Sequence, residues 1–250
     1  MRAISTRGKM MPPSPIRKLK PYDDRAREAG RTVYHLNIGQ PDIETPKEML
    51  DVLKNIGTKI IGYGPSQGIP EYQDALIKYY AKHGIKLGRE NVIVTTGGSE
   101  AIIMAFTVCL NAGDEVLIPE PFYTNYNGFA TATDVKVVPV TTMLENDWEI
   151  PAVEEIEKLV TERTKAIMIC NPNNPTGKVY SRDELKKIVD LAMKKDLFIF
   201  ADEVYREFIF NGEKHVSLLS FEEARDRVIM MDSISKRFSS CGARIGAFIS

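Results

Sequence analysis

Val92-Ile-Val-Thr-Thr-Gly-Gly-Ser-Glu-Ala-Ile-Ile-Met-Ala-Phe-Thr-Val-Cys-Leu110 carries the pattern that decides the fold. Residues 92–95 are short, apolar and β-branched, as a strand would be. Gly97 and Gly98 permit a tight turn, and residues 101–110 are apolar all round, which predicts a buried helix. The alternation continues downstream. Residues 115–118 read as a strand, 123–132 as a short helix and 135–140 as a strand. Residues 151–161 predict an amphipathic helix with Val153, Ile156, Leu159 and Val160 inward, and 166–170 a strand. Ser181-Arg-Asp-Glu184 is a capping box, opening a helix with Leu185, Ile188, Val189 and Ala192 on its apolar face. Residues 197–201 and 228–231 are nearly continuous apolar runs, which suit strands buried on both faces. Strands alternating with helices predict an α/β fold with a mainly parallel, doubly wound sheet.

Upstream the signals are weaker. Residues 24–29 suggest a short helix, 33–36 a brief strand and Asn37-Ile-Gly-Gln-Pro-Asp42 a turn. Thr45-Pro-Lys-Glu48 has the composition of a capped helix start, with Met49, Val52, Leu53 and Ile56 on one face and Gly57 as its stop. Residues 60–68 are loop-like, and a second helix opens at Pro70, with Tyr72, Leu76, Tyr79 and Tyr80 on one side. The first 22 residues hold six basic and no acidic side chains, with prolines at 12, 13 and 15 that break any amphipathic helix of a transit peptide. A mobile N-terminal arm is expected there. Ile245-Gly-Ala-Phe-Ile-Ser250 reads as a strand without closure, so the polypeptide is expected to continue beyond it.

The 250 residues permit one large domain, or one large and one partial domain. A composition 43% hydrophobic and 27% charged is ordinary for a soluble globular protein, and a net charge of −1 argues against nucleic acid or an anionic membrane as partner. No apolar run approaches the ~20 residues of a membrane-spanning helix. Cys109, Cys170 and Cys241 are odd in number and lack C-x-x-C spacing, which points to a reducing, cytoplasmic setting and to packing roles. His35, His83 and His215 form no metal-ligand motif, so no metal site is expected.

Most polar clusters follow a predicted strand. They are Thr95-Thr-Gly-Gly-Ser-Glu100, Pro119-Glu-Pro-Phe-Tyr123, Asn171-Pro-Asn-Asn-Pro-Thr-Gly177, Asp202-Glu-Val-Tyr205 and Ser233-Ile-Ser-Lys236. Clusters at the carboxyl ends of parallel strands converge on one crevice. Lys236, walled by Phe238 and small residues, is a candidate nucleophile, and Arg244 a candidate anion clamp with its planar fork. Gly97 and Gly98 precede a helix whose free N–H groups suit a phosphate, although neither G-x-G-x-x-G nor a Walker loop is present. Asp202 ends an apolar strand, a costly place for a carboxylate without a partner: either a salt bridge or a protonated ring nitrogen would serve. Tyr123 suits stacking on a flat ring or ordinary core packing, and Asn174 a hydrogen bond to a ring oxygen or a turn. A phosphate, a flat ring with a basic nitrogen and an aldehyde for a lysine together describe pyridoxal phosphate.

On Asn174-Pro-Thr-Gly177 and Ser233-Ile-Ser-Lys236 with Arg244 at its spacing, the sequence resembles the class I/II aminotransferases, pyridoxal-phosphate enzymes of fold type I, in their aspartate aminotransferase-like group. The resemblance runs from about residue 37 to the end. It implies residues 1–45 as an arm and the start of a small domain, 46–250 as the large cofactor-binding domain, and the C-terminal remainder of the large domain and the small domain lying beyond this chain. It implies Lys236 as the aldimine-forming lysine and proton shuttle, Asp202 as partner of the pyridine nitrogen, and Asn174 and Tyr205 at the ring hydroxyl. Tyr123 would stack on the ring, and Gly98, Ser99, Ser233 and Arg244 would hold the phosphate, with Glu100 in the same helix turn. Tyr63 would reach the phosphate of a neighbouring subunit, implying a homodimer with shared sites. Gly39 would contact the substrate carboxylate through its backbone, with Asn174 also on the substrate side.

The expected activity is ping-pong transfer of an amino group between an L-amino acid and a 2-oxo acid. The same motifs also suit β-elimination, as in C–S lyases, ring closure, as in aminocyclopropane-carboxylate synthases, or a non-catalytic cofactor-binding sensor.

Overall fold

The computed structural model describes residues 2–210 and 212–250. Seven strands form one sheet: β1 (Val92–Thr95), β2 (Glu115–Glu120), β3 (Lys136–Thr141), β4 (Thr164–Cys170), β5 (Phe198–Asp202), β6 (Val228–Ser233) and β7 (Gly246–Ile249). Their order is β1-β7-β6-β5-β4-β2-β3. Only β7 runs against the rest, antiparallel to both β6 and β1. All the other strands therefore end at one edge.

The helices are α1 (Thr6–Met10), α2 (Lys20–Glu28), α3 (Lys47–Lys54), α4 (Pro70–Ala81), α5 (Gly98–Cys109), α6 (Asn125–Ala132), α7 (Val153–Glu157), α8 (Arg182–Lys195) and α9 (Ile234–Arg237). Strand side chains alternate between two cores. Leu117, Ile167, Ile169, Ile199, Ala201, Val228 and Met230 pack with α4, α7 and α8. Val116, Ile118, Ala166, Met168, Phe200, Ile229 and Met231 pack with α5 and α6 on the other face. Burial on both faces is why these strands are nearly continuous apolar runs. The doubly wound α/β fold expected from the sequence is the fold observed.

Particular elements differ. Residues 33–36 form no strand: they pair with no strand among the described residues, and Tyr34 and Leu36 are 82% and 95% exposed. Thr45 does not cap α3, whose cap position is Pro46, because its hydroxyl donates to Ser239 O at 2.6 Å. The apolar side of α3 is left uncovered, with Val52 and Leu53 exposed. Helix α5 is not buried all round: Ala101, Ile102, Ala105 and Phe106 face the core, while Val108 is 72% exposed. Helix α7 is shorter than the periodicity predicts, yet Ile156 is buried as expected. The Ser181 capping box of α8 is complete, with Ser181 Oγ accepting from Glu184 N–H at 3.2 Å and Glu184 Oε2 accepting from Ser181 N–H at 2.9 Å. In the N-terminal arm, α1 lies against α6, where Arg7 Nε donates to Asp134 Oδ1 at 3.0 Å.

Candidate functional site

The sheet register assembles the site before any side chain is considered. Gly246 of β7 pairs with Thr95 on one side and Ser233 on the other. The turn into α5 and the turn into α9 are thereby brought side by side. A side chain at 246 would collide with Gly98 N at 2.7 Å and Asp232 O at 2.8 Å, so only glycine fits. Further along the same edge Asp202 pairs with Cys170 and with Met231.

A cavity of about 500 Å³ opens at this edge. Gly39, Gly98, Ser99, Tyr123, Asn174, Asp202, Tyr205, Ser233, Lys236 and Arg244 all line it. Glu100 and Tyr63 do not. Glu100 turns back to accept from the Thr96 N–H, and Tyr63 is fully exposed elsewhere. Phe238 is 38% exposed and does not wall the lysine as the sequence suggested; it lies beside Arg237 instead.

Lys236 Nζ donates to Gly39 O at 2.5 Å and lies 3.9 Å from Cys241 Sγ. Arg244 adopts a left-handed backbone conformation, φ 55°, and donates through Nη1 to Cys241 O at 3.1 Å. Its guanidinium lies over Gly97, where a β-carbon would strike it. Asn174 Nδ2 donates to Tyr205 Oη at 3.3 Å, so these two side chains act as one polar wall.

Asp202 is 5% exposed, with no cation among its hydrogen-bond partners in the described residues. Burial pushes its carboxyl up to about 6, against the lowering hydrogen bonds from Tyr126 and from Val204 N–H, and the charges of Asp232 and Glu203 add to the rise. Tyr126 Oη donates to Asp202 Oδ2 at 2.6 Å. A carboxylate held in this way in a cavity wall is suited to a cationic hydrogen-bond donor.

Sequence reading missed several lining residues, among them Tyr126, Ser235, Cys241 and Ile16. Tyr126 follows Tyr123 at a helical spacing of three, a signal that was available. Ile16 comes from the N-terminal arm, and nothing in its local sequence marks it.

The comparisons with known proteins bear on this arrangement. The sequence matches the family "Aminotransferase class I and II" over residues 31–250. The chain belongs to that family. It is 36% identical over 247 residues to aromatic-amino-acid aminotransferase 2 of Thermococcus litoralis, covering 98% of this chain and 62% of that protein. It is equally 36% identical over 247 residues to an aspartate aminotransferase of Pyrococcus abyssi, with the same coverage. Among solved structures, a double mutant of Thermus thermophilus aspartate aminotransferase superposes with a TM-score of 0.93 at 30% identity, covering 100% of this chain and 65% of that one. The chain thus spans a little under two thirds of the length of these relatives. Its fold is the aspartate aminotransferase fold over that span. Among the described residues no helix is long and apolar enough to cross a membrane.

Proposed function

We propose that the protein transfers an amino group between an L-amino acid and a 2-oxo acid, with pyridoxal 5′-phosphate held in the cavity. One observation carries the reading: a lysine, a buried carboxylate, an arginine and a helix N-terminus converge there although they come from β5, α5, α9 and the segment before β7. The residues fit the cofactor. The cavity offers a phosphate the free N–H groups at the start of α5 together with Arg244, and offers a ring nitrogen the Asp202 carboxylate. The Thr124 hydroxyl lines the same cavity, buried and without a hydrogen-bond partner.

When bound, pyridoxal phosphate supplies an aldehyde and an electron-withdrawing ring that makes the α-proton of an amino acid acidic. The chain's own residues do the rest. Lys236 would take the α-proton and later return it, as base and then acid. Asp202 would hold the ring nitrogen in its protonated form. Asn174 and Tyr205 would bond the ring hydroxyl, and Tyr123 would cover one side of the ring. Gly98, Ser99, Ser233 and Arg244 would bind the phosphate, with Glu100 fixing the turn behind them. Ser233 Oγ lies within donating distance of Ile245 O at 3.0 Å and Ser235 Oγ at 2.8 Å, and its hydroxyl would turn from one of these to the phosphate. Gly39 and Asn174 face the substrate carboxylate.

In this reading residues 46–250 are the large domain and residues 1–45 the arm and the start of the small one. Tyr63 reaches the site of a second subunit in a homodimer. The exposed Ile60, Ile61 and Tyr63 support such an association. The absence of paired cysteines supports a cytoplasmic setting.

The test is the full-length protein mixed with pyridoxal phosphate. A visible absorption band, bleached by borohydride with the label recovered on the Lys236 peptide, is expected. Label on another lysine, or none, overturns the reading. Amino-acid and oxo-acid pairs then separate transfer from elimination: pyruvate and ammonia formed without an acceptor would mean elimination.

A further inference from the structure

Lys236 and Arg237 are neighbours on α9 but leave it in opposite directions. Lys236 Nζ turns into the cavity, to Gly39 O. Arg237 Nη2 donates to Asp232 Oδ1 at 2.6 Å on the other face of the sheet, the face shared with Tyr80 of α4. Both side chains of this pair are buried, 7% and 2% exposed. Asp232 receives two further donors, Ser233 N–H at 2.7 Å on Oδ1 and Tyr80 Oη at 2.6 Å on Oδ2. The Arg237 guanidinium also lies 4.2 Å from the centre of the Tyr79 ring. One carboxylate thus ties together α4, the end of β6 and the turn that carries the lysine.

A helix of four residues cannot set its own orientation, since its nucleation is unfavourable and tertiary contacts must hold it. A buried ion pair adds little net stability over apolar packing of the same volume, so its use here calls for a geometric reason. Arg237 fixes the rotation of α9 about its own axis, and the direction of the adjacent side chain follows. We propose that Arg237, through Asp232 and Tyr80, is a positioning residue that aims Lys236 at the aldehyde of the cofactor. This rests on the cofactor reading above.

The experiment uses the full-length protein stripped of cofactor and two probes. Pyridoxal 5′-phosphate with borohydride reports the rate of trapping on Lys236. Pyridoxine 5′-phosphate, which lacks the aldehyde, reports binding to the cavity alone. Arg237→Met should slow trapping about tenfold or more, as misplacement of a reacting group does, while pyridoxine phosphate affinity stays within about twofold. Arg237→Lys, which keeps the charge without the fork, should recover part of the rate. Ile234→Val, a packing change in the same turn, should trap like the wild type. Equal trapping in Arg237→Met and Ile234→Val overturns the proposal, as does an equal loss of both probes. If Arg237→Met fails to fold, Arg237→Lys decides, because it keeps the charge and loses the fork: trapping at the wild-type rate overturns the proposal. A wild-type protein that takes neither probe overturns the cofactor reading and this one with it, whereas wild-type trapping left intact in every variant overturns this one alone.

Discussion

Tyr126 Oη donates to Asp202 Oδ2 at 2.6 Å, and neither side chain reaches solvent in any measure that matters, at 0% and 5% exposed. The bond stabilises the ionised form of Asp202 against the burial that opposes it. Tyr126→Phe removes the donor and leaves the ring. Net loss of a hydrogen bond to a charged group is worth about 1.5–3 kcal/mol, so the Asp202 carboxyl should titrate about one pH unit or more higher in the variant. Carboxyl infrared absorption followed against pH, in cofactor-free protein, checks this.

Asp202 also sets a pH dependence of stability. Its pKa rises from 3.8 in the unfolded chain to about 6 in the fold, chiefly through burial. Between those values the folded state binds the extra proton. The stability from this group is therefore fully present below pH 3.8 and is lost as pH rises through about 6. The full difference is on the order of 3 kcal/mol. Asp202→Asn cannot ionise, so in cofactor-free protein it should gain stability over wild type at pH 8 and little at pH 4. Urea unfolding at the two pH values measures it; an equal effect at both would refute it.

Removing the amine tests the chemistry. Lys236→Ala should reduce amino transfer by ~10³-fold or more, within the range ascribed to a positioned acid–base group. Cofactor should still bind, since Arg244, Asp202 and the start of α5 remain. Steady-state rates on full-length protein, with cofactor affinity measured by fluorescence, separate the two effects.

Much of this was legible in the sequence, and the reasons are physical. The two-faced burial of β4, β5 and β6 shows as unbroken apolar runs, and the Ser181 box announces α8 by its own chemistry. The candidates at strand ends line one cavity, and strand ends are readable from sequence. What failed depended on distant partners. Thr45 looks like a cap until Ser239 O claims its hydroxyl. Phe238 looks like a cavity wall, but it is 38% exposed and lies beside Arg237. Residues 33–36 have the composition of a strand, but a strand needs a partner, and they pair with none among the described residues. Tyr126 is marked locally by its spacing from Tyr123, but its partner Asp202 lies 76 residues away, which no local pattern shows.

The capping box offers a test of the scaffold without touching the site. Ser181→Ala removes the acceptor for Glu184 N–H and leaves the reciprocal bond from Ser181 N–H to Glu184 in place. Caps of this kind are worth about 1 kcal/mol. Helix α8 buries Leu185, Ile188, Val189, Leu191 and Ala192 against the sheet face away from the cavity. Stability should fall by about that amount in urea unfolding while cofactor affinity stays unchanged.

Gly246 couples scaffold and site most directly. It pairs with Thr95 and Ser233 at once, and a methyl group there would meet backbone, not a side chain that can swing away. Overpacking of this sort costs about 1–3 kcal/mol. The strain falls on Gly98 N and Asp232 O, and relief requires β7 to part from one neighbour. Either movement displaces the start of α5 from the turn before α9, and these are the two elements that would share the phosphate. Gly246→Ala should therefore weaken inorganic phosphate binding as well as stability, whereas Ser181→Ala at a comparable loss of stability should leave phosphate binding intact. Calorimetric titration of both variants with phosphate decides between them: equal affinities would mean that the close approach at Gly246 serves packing alone.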